Sequence, residues 1–79
     1  MGMSYSRKYP NGRFKFERSG FLGHGDTVRV YKDGEKIDEF ELNDSLIDLL
    51  KDSDVSSSQK RNLFESACHE WWSDYGTDL

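Results

Sequence analysis

Arg13-Phe14-Lys15-Phe16-Glu17-Arg18 alternates with a period of two, which puts both phenylalanines on one face of a β-strand. Tyr9-Pro10-Asn11-Gly12 precedes it, with Gly12 free to take positive φ, and predicts a tight turn. An N-terminal strand over Ser4–Tyr9, paired in a hairpin with Arg13–Arg18, follows from that turn. Gly20, Gly23 and Gly25 interrupt regular structure across Ser19–Gly25. Thr27–Lys32 alternates again, with Val28 and Val30 on one side, and Asp33-Gly34 is a strong hairpin signal. On the return strand, Glu35–Leu42, Ile37 is out of phase with Phe40 and Leu42. A bulge at Asp38–Glu39 would bring all three to the core face.

The period then changes to that of helices. Asn43 or Asp44 caps a first helix whose apolar side is Leu46, Ile47, Leu49 and Leu50, and Asp52-Ser53-Asp54 ends it. Ser56-x-x-Gln59 is a capping box opening a second helix. Its stripe runs Phe64, Cys68, Trp71, Tyr75, with Gly76 at the C′ position. The expected fold is α+β, an antiparallel three- to four-stranded meander followed by two helices on one face. The second helix would pack on Phe14, Phe16, Val28, Val30 and Ile37.

Seventy-nine residues make a single domain, 1–79, with Met1-Gly2 read as a cloning remnant and residues 1–3 as a disordered start. Only 34% of the chain is apolar, so the eleven aromatics carry much of the core. Cys68 is the sole cysteine, which forbids an internal disulfide and suits a reducing cytoplasm. No run approaches the ~20 apolar residues of a membrane span. A cytoplasmic protein, monomeric by preference, is the expectation.

Little in the chain supports catalysis. Cys68 and His69 are adjacent, and neighbouring helical side chains do not face each other. His24, Asp26, His69 and Glu70 lack metal-ligand spacing. The glycine-rich segment lacks the Lys-Ser/Thr of a phosphate loop, and its Phe21-Leu22 tip either folds inward or meets a partner. The sequence therefore reads as non-enzymatic, with no cofactor, metal or small-molecule ligand.

Charge sorts the chain into halves. Met1–Ile37 holds eight Lys/Arg and four Asp/Glu, a balance of +4; Asp38–Leu79 holds three and eleven, a balance of −8. Asp44, Asp48 and Asp52 recur every four residues, a like-charge row costing about 0.2–0.5 kcal/mol per pair. Glu70 and Asp74 repeat that spacing, and Glu41, Asp54 and Glu65 add to the field. Two readings stand: a solvated face that keeps a small domain soluble, or a contact surface for a basic protein or nucleoprotein complex. The alternative is a nucleic-acid-binding accessory protein. Its strands would use Tyr5, Arg7, Lys8, Tyr9, Arg13, Lys15 and Arg18, where positive charge interleaves with aromatics.

In size, in the order of meander and helices, and in its acidic helical face, the chain resembles small phage-encoded anti-CRISPR proteins. The resemblance implies a stoichiometric inhibitor that occupies a basic nucleic-acid-binding surface of a CRISPR effector.

Overall fold

A computed structural model of the chain describes residues 3–19 and 27–79. Phe21-Leu22, His24, Asp26 and the three loop glycines lie outside the described residues. The strands are β1 (Ser4–Tyr9), β2 (Gly12–Ser19), β3 (Thr27–Lys32) and β4 (Glu35–Glu41), and they form one antiparallel sheet in the order β1-β2-β3-β4. Helices α1 (Asp44–Lys51) and α2 (Ser57–Trp71) follow, and α2 runs on into a π-helical turn, Trp72–Gly76. The fold is the α+β meander and helix pair that the periodicities predict.

Both hairpin turns have the conformations their residues permit. Gly12 has φ +145°, Asp33 φ +52° and Gly34 φ +90°, so the Asp33-Gly34 turn has the consecutive positive φ of a type I′ connection. Asp33 also fastens the turns together, its Oδ1 accepting from the Arg13 N–H at 3.1 Å. Met3 belongs to the fold rather than to a disordered start. Its carbonyl accepts from the Arg18 N–H at 2.8 Å, and its side chain packs against the core.

One sheet face carries Phe14, Phe16, Val28 and Val30, all fully buried beneath α2. From the helix come Phe64, Cys68 and Trp71. The Trp71 indole meets Phe16 edge-on at 5.9 Å and stacks on Phe40 at 5.8 Å. Leu46 and Leu50 of α1 join this core, while Ile47 is half-buried and Leu49 is exposed. Caps fix both helix starts. The Asn43 side chain accepts from the Leu46 N–H, and Ser56 and Gln59 form the reciprocal capping box.

Three expectations are corrected. The bulge is at Ile37, not Asp38–Glu39: Val30 opposes Asp38 while Tyr31 opposes Lys36, leaving Ile37 unopposed. Because the extra residue is Ile37 itself, it turns outward to 38% exposure instead of joining the core. Tyr75 is 64% exposed, since the wider π-helical turn carries it off the α2 stripe. Gly76 ends that turn without positive φ. It is needed for space: a Cβ there would sit 2.5 Å from Trp72 Cδ1 and 3.2 Å from Trp71 Cζ3.

Candidate functional site

The fold sorts the eight acidic candidates into unlike environments. Asp44 opens α1, where a carboxylate is favoured by the helix dipole. Asp44 and Asp48 each stand two residues from buried Leu46, about 200° around the helix, so they look away from the core. Asp52 is not helical. It has φ −75° and ψ 121° as the C-cap of α1, and its Oδ1 accepts from the Asp54 N–H at 2.9 Å. The like-charge row is thus shorter than its spacing suggests, and Asp52 and Asp54 serve a turn. Glu65 is tied to Arg61 at 3.1 Å and borders a neighbouring groove with Tyr5, Arg7, His69 and Glu70.

The other three line a common groove. Glu41 from the end of β4, Glu70 from α2 and Asp74 from the π-helical turn border one groove of about 270 Å³. Phe40, Leu42, Leu46, Ala67 and Trp71 give it an apolar lining, and Tyr75 stands at the same groove. The Trp71 and Tyr75 rings are 6.1 Å apart and tilted by 43°. Among the described residues, none of the three carboxylates is hydrogen-bonded or ion-paired. The helical spacing of Glu70 and Asp74 was legible; the aromatic share of the site was not. The overlooked signal is that each acid adjoins an aromatic in sequence: Phe40-Glu41, Glu70-Trp71 and Asp74-Tyr75.

The basic strand residues are divided by the sheet. Tyr5, Arg7, Tyr9 and Arg18 share the helix-side phase, whereas Lys8, Arg13 and Lys15 alternate onto the open face. They do not form one platform. Tyr9 is 4% exposed, and Phe14 and Phe16 are fully buried, so none offers a ring for a base to stack on. Arg7 lies over the Tyr9 ring, 5.1 Å from its centroid.

Burial also disposes of the Cys68-His69 pair. Cys68 is fully buried, and desolvation, with the nearby Glu65 charge second, pushes its thiol up to about 12. A thiol so held is no nucleophile at neutral pH. His69 is exposed and its Nδ1 is 3.1 Å from the Tyr9 hydroxyl. Among the described residues no group of three or more His, Cys, Asp or Glu could hold a metal ion, and no helix is long and apolar enough to cross a membrane.

An unneutralised three-acid groove with an aromatic wall suits a lysine or arginine side chain: the stem lies on apolar surface while the cation meets carboxylates. Compared with protein-family models, curated proteins and solved structures, the chain matches none of them, so its chemistry rests on its own surfaces.

Proposed function

We propose that the protein is a non-enzymatic binding protein whose Glu41, Glu70 and Asp74 groove receives basic side chains of a partner. The observation that carries this reading is that three carboxylates, none of them ion-paired among the described residues, border one groove whose lining includes Trp71 and Phe40. A carboxylate trio of this kind steers a positively charged surface toward itself and then gains contact energy as water leaves the aromatic wall. The resemblance to anti-CRISPR proteins supplies the partner class: a cytoplasmic nucleoprotein complex with a basic channel, such as a CRISPR effector. The protein acts there stoichiometrically, by occupying the channel in place of nucleic acid.

The test is competition between the purified protein and DNA for purified CRISPR effector complexes, read by loss of DNA binding at equimolar protein. Glu70→Lys with Asp74→Lys should remove the inhibition while the thermal midpoint stays within a few degrees, because both residues are exposed. Asp44→Lys with Asp48→Lys, on the far side of α1, should weaken it much less. Loss of inhibition in the α1 pair alone would refute the groove. Absence of DNA competition at any effector would remove the CRISPR assignment.

A further inference from the structure

The open face of the sheet presents a second surface with opposite chemistry. Its central rung is Ser6, Lys15, Tyr31 and Lys36, one residue from each strand, and the next rung adds Lys8 and Arg13. Tyr31 is half-buried, flanked on the neighbouring strands by Lys15 and Lys36. Strands stand about 4.8 Å apart, so the two lysines are about 10 Å from each other with the phenol between them. A shallow basin of about 340 Å³ lies here, bordered by Ser6, Arg13, Lys15, Glu17, Tyr31 and Gly34.

The cations are available. Lys15 reaches Glu17 at 3.5 Å and Lys36 reaches Glu39 at 3.8 Å, with lysine side chains 50% and 47% exposed. Exposed pairs of this kind are weak and exchange readily for another anion. Among the described residues, Lys8 and Arg13 make no ion pair. Asp33 lies beside Arg13 at one end of this zone, and the rung of Glu17, Arg29 and Glu39 lies at the other, so acids bound the basic area at two rungs. With a rung repeat of about 7 Å, that area spans a few nucleotides.

We propose that this face binds single-stranded nucleic acid, with one base stacked on Tyr31 and the adjoining phosphates met by Lys15, Lys36, Lys8 and Arg13. An aromatic ring between cations is the pairing a base and its phosphates require, and a duplex offers no exposed base face to such a ring. The surface is separate from the acidic groove. The protein then touches a basic partner on its helix side and a nucleic-acid strand on its sheet side.

The experiment is fluorescence anisotropy of labelled dT12 and U12 oligonucleotides at low salt, with the full chain. Saturable binding is expected, falling with added salt. Tyr31→Ala should weaken it about five- to 150-fold, the range for loss of one stacked base, while Tyr31→Phe keeps the ring and stays within about twofold. Lys15→Glu with Lys36→Glu should abolish binding, and Glu70→Lys should not weaken it. Thermal melts of the same variants report the fold, and the Phe variant separates stacking from folding. Absence of binding, indifference to Tyr31→Ala, or a preference for duplex would each overturn the proposal. So would a dimer in sedimentation that Tyr31→Ala disperses, since the face would then be covered by a second copy.

Discussion

The phenol ring of Tyr9 lies flat on the indole of Trp72, centroids 4.1 Å apart and planes within 14°. The contact joins the end of β1 to the π-helical turn. Asn11, the next residue but one, completes the clasp. Its Nδ2 donates to the Gly76 carbonyl at 2.8 Å and the Leu79 carbonyl at 3.0 Å, while its Oδ1 accepts from Trp72 Nε1 at 3.3 Å. A double-mutant cycle on Tyr9→Leu and Trp72→Leu, measured by urea denaturation, should give a coupling of about 0.5–1.5 kcal/mol beyond the single losses. Simple additivity would mean that the stack contributes no more than its buried area.

Gly76→Ala should destabilise the fold by about 1–3 kcal/mol through overpacking against the Trp72 and Trp71 rings. The backbone there needs no glycine, so steric relief in a Gly76→Ala, Trp72→Leu double variant should recover part of the loss. A melting temperature unchanged by Gly76→Ala would show that the rings move aside freely.

Phe64 and Trp71 link α2 to the sheet core, and both are at least 94% buried. Truncation of either to alanine should cost about 3–5 kcal/mol, a large share of the stability of a domain this size. Chemical denaturation followed by far-ultraviolet circular dichroism measures it. A cost under about 1 kcal/mol would contradict the packing of α2 on the sheet.

Stability should fall at alkaline pH. Burial raises the Cys68 thiol from 9.0 to about 12 and the Tyr9 phenol from 10.0 to about 12. From pH 9 upward the unfolded chain releases protons that the fold retains, so stability is complete below pH 9 and declines toward pH 12. Denaturation midpoints across this range should show that decline. Cys68→Ala should delay its onset toward pH 10, where only the Tyr9 contribution begins. The same onset in parent and variant would mean that Cys68 titrates normally.

What the sequence made legible was local. Asp33-Gly34 can form its turn from two residues, Ser56 and Gln59 can cap a helix across four, and the alternation of Phe14 and Phe16 needs no partner to be read. The misses are all decided by more distant structure. The alternation demands a bulge in β4 but does not say which residue must leave the ladder, and it is Ile37 that does so. Nothing in Trp72-Ser73-Asp74-Tyr75-Gly76 marks a widened helical turn, so Tyr75 read as core. The eight acids were visible one by one, yet only the path of β4 and α2 puts Glu41 on the same groove as Glu70 and Asp74. Asn11 read as a turn residue because its partners are 65 and 68 residues away.

The clasp at Asn11 has a kinetic consequence. The three strand pairings join segments that neighbour one another in sequence, whereas the Tyr9–His69 and Asn11–Trp72 contacts span 60 and 61 residues. Loop closure over such a distance is costly before other contacts support it, so the hairpins are expected to form by the transition state and the clasp after it. Strengthening the clasp would then lengthen the lifetime of the native state while leaving the rate of reaching it nearly unchanged.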